Sequence, residues 1–313
     1  MKKLFSIVVV TYNQEKLIKE CLDSILLSDY QPLELIVVDD HSTDDNKNII
    51  NRWIEKNKSR FSNINFIINE ENKGVSYSHT VGVRSASGEY IKYIAGDDIL
   101  AEKAIDKVGS FLDENKNVYW GFGRIKPFYT DNNGKRFFLK ERPEKSLIKY
   151  YGIDSKKQIN IIFRKNLMHS PGNFFRKGIL EEVGYFGEEI RRFEDFHTWF
   201  KLLNQGTSFY YLDKLLVYWR RHEGSITFSV YNKDDKILIE DKLNLNKNYL
   251  QPKMDKLDIL TKIHVKNTYL YWKILSKNES NIKGHHEAKY VKLLDPIWWV
   301  SLPTYLKAKF SRK

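Results

Sequence analysis

Apolar β-branched residues near the start of the chain come in short unbroken runs, and helically spaced apolar residues lie between them. Residues 5–10 form the first run, and such continuous hydrophobicity predicts a strand buried on both faces. Leu17, Ile18, Cys21, Leu22, Ile25 and Leu26 then share one face of a helix over 14–27. A second buried strand is predicted at 33–38, followed by a polar helix carrying Ile49, Ile50 and Trp53. Further strands at 64–68 and 90–94 flank a helix over 75–86 that ends at Ser87-Gly88. Strand–helix alternation with fully apolar strands predicts an α/β fold, a mainly parallel central sheet covered by helices on both faces.

In such sheets ligands bind beyond the carboxyl ends of the strands, which directs attention to the residues just after each run. They are Thr11-Tyr12-Asn13, Asp39-Asp40, Asn72-Lys73-Gly74 and Gly96-Asp97-Asp98. Single acids at strand ends are commonly turn formers or helix caps, and Asp44 fits that description. Two adjacent pairs on one sheet edge repel each other unless a cation or a donor-rich ligand lies among them. A divalent cation held by one or two carboxylates and substrate phosphates meets that need.

Beyond residue 115 the pattern is less regular. A strand is expected at 118–122 and a hairpin over 128–139, turning at Asp131-Asn132-Asn133-Gly134. A loop at Ser170-Pro171-Gly172-Asn173 precedes Phe174-Phe175-Arg176 and a helix through Leu180 and Val183. Phe193-Glu194-Asp195-Phe196 opens a helical stretch closed by Gly206. Two short runs, 208–212 and 215–219, lead into Arg220-Arg221-His222. This gives two parts: 1–228, the α/β domain, and 229–313, a basic, mainly helical extension.

Charge sharpens that division. The extension holds 17 Lys/Arg against 9 Asp/Glu, so it carries +8 of the overall +12. Such an excess suits lipid headgroups, nucleic acid or a phosphorylated acceptor, and equally a solvated lysine-rich helical face. Trp298, Trp299 and Tyr305 beside Lys307, Lys309, Arg312 and Lys313 suit a lipid interface. The same tryptophans also suit packing on the catalytic domain or on a second subunit, giving a homodimer. Cys21 is the single cysteine, so there is neither a disulfide framework nor a cysteine zinc site. Lys2 and Lys3 before an apolar run resemble a signal peptide, but the run ends at Thr11 with no small-residue cleavage site. No stretch approaches the roughly 18 apolar residues of a spanning helix. The expectation is a cytoplasmic protein, soluble or peripheral on the inner face of the cell membrane.

Taken in order, Ser6–Asn13, Ile36–Asp44, Asn72-Lys73-Gly74, Gly88–Ile91 with Gly96-Asp97-Asp98, and Glu194-Asp195 resemble the family 2 glycosyltransferases of GT-A fold, bacterial polysaccharide type. The likeness runs over about residues 4–228. It implies inverting transfer of a sugar from a nucleotide diphosphate, UDP first, to a saccharide acceptor that is often lipid-linked, with Mg²⁺ or Mn²⁺ as cofactor and no nucleic-acid partner. By the same likeness Thr11 and Tyr12 wall the nucleobase, Glu15 contacts the nucleotide, Asp39 accepts from the base and Asp40 supports its loop. Asn72 and Gly74 fall in the donor motif, and His79 stands where the family carries an arginine. Asp97 binds the metal with Asp98 beside it, Asp195 is the general base, and Arg220, Arg221 and His222 face the diphosphate, His222 with the metal.

Chemistry supports the resemblance. Inversion needs one carboxylate to take the acceptor's proton, and the leaving diphosphate gathers charge that a cation offsets. Two departures stand out: Ala95 sits where the metal motif usually has a carboxylate, and His79-Thr80 replaces Arg-Asn. His79 is equally a core or surface histidine, and Asp195 equally a helix N-terminal acid. Trp219 is expected to be structural. His169, His264 and the adjacent His285-His286 are expected to be ordinary core or surface residues. The rival classes are a sugar nucleotidyltransferase, an oxidoreductase and a non-catalytic adaptor. The first lacks its glycine-rich loop after the first strand, the second its G-x-G-x-x-G.

Overall fold

In a computed structural model, residues 2–165, 169–187, 190, 194–222, 236–277, 294, 295 and 297 are described. Strands β1 (Phe5–Thr11), β2 (Leu33–Asp39), β3 (Asn63–Ile68) and β4 (Tyr90–Ala95) pair in parallel, in the order β3-β2-β1-β4. Helices α1 (Ile18–Ile25), α2 (Asn46–Asn57) and α3 (Val75–Ser85) join them. The expected strands and helices of this half are all present. Alternate residues of each strand enter opposite cores: Val8, Val10, Ile36 and Val38 on one face, Ile7, Val9, Leu35 and Val37 on the other. That two-sided burial is why these strands lack polar alternation.

Past β4 the sheet is mixed, which limits the expectation of a mainly parallel sheet to its first half. β5 (Ile99–Leu100), β6 (Trp120–Thr130), β7 (Arg136–Phe138), β8 (Asn173–Arg176) and β9 (Tyr210–Arg220) continue it as β4-β8-β6-β9-β5, with β7 on β6. Only β6–β9 is parallel there. The hairpin at 131–134 forms as expected, with Gly134 at positive φ. The two short runs after 208 are one strand, β9; exposed Asp213 and Lys214 interrupt its apolar pattern where the β6–β9 register shifts. Helix α4 (Ala104–Glu114), absent from the sequence-based expectations, packs Ile105, Val108 and Leu112 into the core.

Helices α5 (Ser155–Arg164), α6 (Lys177–Glu182) and α7 (Glu194–Gln205) cover the later strands, and Gly206 (φ +102°) closes α7 with Thr207 N–H on the Leu202 carbonyl. The extension is helical where described: α8 (Lys236–Asn244), a π-turn (Leu245–Leu250), a 3₁₀ segment (Gln251–Lys256) and α9 (Ile259–Lys277). Leu245, Leu250, Leu257 and Val265 share one core with Trp199, Phe200 and Leu203 of α7. The extension therefore packs as part of the same body. Phe193, His285-His286, Trp298, Trp299 and the basic terminus lie outside the described residues, as does the boundary at 228/229.

Close approach of α3 to the sheet depends on Gly82: a Cβ there lies 2.3 Å from Val8 Cγ1 and 3.2 Å from Val38 Cγ2. Helix propensity alone favours alanine by about 1 kcal/mol, whereas overpacking costs roughly 1–3 kcal/mol. Gly82→Ala is expected to lower stability by up to about 2 kcal/mol net in urea unfolding; a raised midpoint contradicts this packing.

Candidate active site

Loops at the carboxyl ends of β1 and β2 are held together by buried hydrogen bonds. Asn46, fully buried at the start of α2, donates through Nδ2 to Thr11 Oγ1 (3.0 Å), Asp39 Oδ2 (2.7 Å) and Ser42 Oγ (3.4 Å). Asp39 Oδ1 accepts from Ser42 N–H at 2.6 Å. Both Asp39 oxygens are thus engaged, and the residue has 0% exposure. Asp40 turns toward the third strand end: it accepts from Asn69 Nδ2 (2.7 Å), Lys73 N–H (3.0 Å) and Gly74 N–H (2.8 Å). Gly74, at φ +88°, starts α3, so Asp40 also sits where that helix exposes free N–H groups. Glu15 is half-buried and reciprocal with the β2 loop, its N–H on Asp44 and its Oε2 accepting from Asp45 N–H at 3.0 Å. Tyr12 stands free at 44% exposure, and Asn72 is exposed on the neighbouring loop.

The Asp97-Asp98 turn is clamped by the end of β9. Arg220 donates its backbone N–H to Asp98 Oδ1 (2.8 Å) and its Nε to the Asp97 carbonyl (2.8 Å). Its Nη2 reaches Glu20 Oε2 (2.5 Å) on α1, and its guanidinium lies 4.8 Å from the Phe128 ring centre. Asp98 is buried, and burial, then the Asp97 charge, push its carboxyl well above the usual range. Asp97 is more open, and its Oδ2 lies 2.9 Å from His222 Nε2. Half-buried Arg221 stacks its guanidinium 4.7 Å from the Trp219 ring centre.

Two expected site residues change role. Arg220, expected at the diphosphate, spends its donors on Asp97, Asp98 and Glu20, and it is 6% exposed. Arg221 is the arginine left half-buried at that edge. His79, expected in the donor site, is buried between Tyr93 (ring centres 4.4 Å) and Phe186 (5.3 Å), with Nδ1 3.8 Å from Glu194 Oε1. Burial pushes its imidazole down to about 3, so it is neutral at neutral pH.

Glu194 and Asp195 begin α7; α3 holds the turn after α6 through Ser76 Oγ on the Gly187 carbonyl and Thr80 Oγ1 on the Phe186 carbonyl. Glu194 is buried, and burial followed by the Asp195 charge raises it well above the usual range. Asp195 is half-buried and pushed up to about 6 by burial, opposed by the Phe196 N–H (2.5 Å) and the Lys242 charge. Its field reaches Tyr93 on β4, whose hydroxyl pairs with Ser170 Oγ (3.1 Å).

Four contributors are absent from the sequence-based expectations: Asn46, Asn69, Glu20 and Lys92. Asn69 directly follows β3, and that position is the available signal. Lys92 is buried inside β4, donating Nζ to the Tyr93 carbonyl (2.5 Å) and the Pro171 carbonyl (2.7 Å); burial lowers it to about 7 against the pull of Asp98. A lysine inside an apolar strand is its only sign.

Among the described residues no group of three or more His, Cys, Asp or Glu converges on one point. Asp97 and His222 supply one oxygen and one nitrogen at the open edge. This donor set fits a divalent cation that takes its remaining ligands from a diphosphate, not a cage built by the protein. Asp98, expected to share the metal, has its buried Oδ1 committed to the Arg220 N–H.

This is a nucleotide-sugar transferase architecture: a parallel half-sheet with acids at its strand ends and a carboxylate at a helix start. The family model described as Glycosyl transferase family 2 matches residues 6–184, and the chain belongs to that family; it is a glycosyltransferase. An uncharacterized glycosyltransferase of Methanocaldococcus jannaschii is 28% identical over 276 residues, 87% of this chain and 85% of that one. Poly(ribitol-phosphate) beta-N-acetylglucosaminyltransferase TarS of Staphylococcus aureus is 28% identical over 72% of this chain and 37% of its own. The structure of TarS 1–349 with UDP-GlcNAc superposes with a TM-score of 0.63 at 21% identity, covering 95% of this chain and 82% of that one. The mannosyltransferase PcManGT of Pyrobaculum calidifontis, in complex with GDP-Man and Mn²⁺, gives 0.56 at 16% identity over 100% and 89%. These likenesses establish the GT-A fold.

Asn46→Ala removes the donor shared by Thr11, Asp39 and Ser42 and leaves a buried Asp39 oxygen without its partner. A loss of about 1–3 kcal/mol is expected in chemical unfolding; wild-type stability contradicts the network.

Proposed function

We propose that the chain transfers a sugar, with inversion, from a nucleotide diphosphate donor to a hydroxyl of a saccharide acceptor in cell-surface glycan synthesis, with a UDP-sugar as first choice. The observation that carries this reading is Asp195: a half-buried carboxylate pushed up to about 6, at a helix start whose charge acts on Tyr93 of β4, the strand that leads to Asp97. A base with that affinity is ionised at neutral pH and still takes a proton readily.

In this reading Tyr12 and the Asn72–Gly74 loop flank the base and ribose. Asp39, with no exposed surface, acts through the Ser42–Asn46 loop it holds; Asp40 does the same for Lys73 and Gly74. Glu15 fixes the wall beside Tyr12. Arg221 meets the diphosphate. Asp97 and His222 would hold Mg²⁺ or Mn²⁺, which supplies positive charge to the leaving diphosphate when bound. Asp195 takes the acceptor's proton from the side opposite the donor. TarS, whose name specifies a poly(ribitol-phosphate) acceptor and whose structure holds UDP-GlcNAc, supports UDP-sugar as donor and a surface polymer as acceptor. No helix among the described residues is long and apolar enough to cross a membrane; contact with the inner membrane face through the basic extension, a lipid-linked acceptor and homodimerisation belong to this proposal.

Thermal melting with UDP, UDP-GlcNAc, GDP and GDP-mannose, each with and without Mn²⁺, tests donor binding, because a ligand of the folded state raises the midpoint. A rise with a uridine nucleotide is expected, and smaller for Asp97→Ala when Mn²⁺ is present. No shift with any nucleotide overturns the proposal. Asp195→Asn is expected to keep donor binding and lose at least 10²-fold in turnover. The base must be deprotonated to act, so kcat/KM is expected to fall tenfold per unit below about pH 6. A rate flat down to pH 5 removes Asp195 from that role.

A further inference from the structure

Strand β6 runs out to the edge that carries Arg221 and returns as β7, and the register fixes which side chains share a face. Tyr129 lies opposite Phe137, Phe128 opposite both Phe138 and Arg220, and Pro127 opposite Trp219. Arg221 continues the ladder with its N–H on the Phe128 carbonyl (2.8 Å), and Leu139 N–H meets the Pro127 carbonyl (2.7 Å). Side chains alternate along each strand. Phe128, Arg136, Phe138 and Arg220 therefore lie on one face of the hairpin. Tyr129, Phe137, Leu139, Trp219 and Arg221 lie on the other, with Lys135 beside Phe137.

The first face is fastened to the body. Arg136 pairs with Glu20 of α1, which also holds Arg220, and the two guanidiniums lie 5.4 and 4.8 Å from the Phe128 ring centre. The second face is open: Tyr129 is 43% exposed and Leu139 45%. Tyr129 and Phe137 stack with centres 5.2 Å apart, Lys135 Nζ lies 5.2 Å from the Phe137 centre, and Arg221 covers Trp219. The other side of the Tyr129 ring meets no ring or cation among the described residues.

Charge on this face is unbalanced. Carboxylates of the neighbouring segments are spent elsewhere: Glu20 on Arg136 and Arg220, Glu141 and Asp213 on Arg124, and Glu144 on Arg142. Asp131 turns Oδ1 to the Asn133 and Lys135 N–H groups of the hairpin turn. Arg221 and Lys135 have no carboxylate partner among the described residues. An exposed apolar patch rimmed by such cations marks a binding surface. It suits a ligand that alternates C–H faces with anions, since C–H groups rest against the electron-rich ring face while guanidinium and ammonium take phosphates. A bilayer suits it less, because inserting these rings strips water from the cations lying on them.

We propose that this face of the β6–β7 hairpin docks the acceptor, and that the acceptor is a chain of sugars or polyols joined by phosphodiesters. The proposal rests on the transferase reading and specifies its acceptor class. Arg221, assigned above to the donor diphosphate, ends the strip at the donor edge, so a chain lying on it runs outward past Tyr129 to Lys135.

Binding of the full chain to immobilised poly(ribitol phosphate), poly(glycerol phosphate), dextran sulfate and neutral dextran tests this. Retention by a phosphate polymer and none by dextran is expected. Tyr129→Ala is expected to weaken phosphate-polymer binding about tenfold and to leave dextran sulfate binding unchanged. Lys135→Glu, on an exposed turn, keeps the test open if the alanine variant does not fold, and is expected to weaken phosphate-polymer binding about tenfold. No retention by either phosphate polymer, or variants that bind them as the wild type does, overturns the proposal. So does a Tyr129→Ala that loses dextran sulfate equally, or one that loses phosphatidylglycerol vesicles instead. Melting with UDP and Mn²⁺ keeps the parent reading separate. A wild type with no nucleotide shift sinks the transferase; a shift retained in variants with undiminished polymer binding sinks only the docking surface.

Discussion

Arg220 is the constraint on which the donor edge depends. It ends β9, a strand of the mixed half-sheet, yet its backbone and guanidinium grip the turn after β4, the last strand of the parallel half. A planar guanidinium with fixed donors suits such a clamp, because Nε meets a carbonyl, Nη2 a carboxylate, and the flat face rests on Phe128. Burying an arginine is costly unless its donors are matched, and Asp97, Asp98 and Glu20 provide the match. The clamp fixes how the two adjacent carboxylates point. Asp98 turns inward to the Arg220 N–H, while Asp97 turns outward to His222, two residues beyond the clamp.

The same logic recurs at the β1 and β2 ends. Asp39 and Asp40 are adjacent in sequence, so on an extended backbone they point to opposite sides. Asp39 organises the loop shared with Asn13, Ser42 and Asn46, and Asp40 the loop from Asn69 to Gly74. These strand ends are thereby locked by inward-turned carboxylates. The more open surface falls to Tyr12, Asn72, Arg221 and His222, with Asp97 just beneath it, and rigid backing for such contacts is what a binding site requires.

How much of this the sequence discloses follows from where each signal resides. Strands β1 and β2 are legible because burial on both faces leaves apolar runs, the half-exposed edge strand β3 and the Lys92-bearing β4 show shorter ones, and the strand-end rule then points to Thr11, Asp39-Asp40 and Asp97-Asp98. Helix α4 escapes notice although Ala104, Ile105, Val108 and Leu112 have helical spacing; Lys103, in the left-handed region at φ +55°, starts it without a capping side chain. Strand β9 reads as two because Asp213 and Lys214 break its pattern at a bulge. The reversal of Arg220 from ligand contact to clamp is not legible, since a residue type at a strand end is silent on which way its side chain turns. His79 is ambiguous for a similar reason: a lone histidine on a helix face suits either role, and only its packing against Tyr93 and Phe186 decides.

Packing also shapes the turn that carries Asp97. Gly96 cannot carry a side chain, because a Cβ there lies 2.5 Å from Gln14 Oε1 and 3.0 Å from Thr11 Cβ. Gln14 in turn accepts from Thr11 Oγ1 at 2.9 Å, so the nucleobase loop leans directly on the turn that carries Asp97. A side chain at Gly96 is therefore felt at both the Thr11 loop and the Asp97 turn. With a methyl at position 95, whose carbonyl accepts from the Cys21 thiol, the turn contributes a single outward carboxylate. The nitrogen beside that carboxylate is His222 Nε2, from across the sheet. Asp97 and His222 thus meet from two strand ends, and the Arg220 clamp is what brings those ends together.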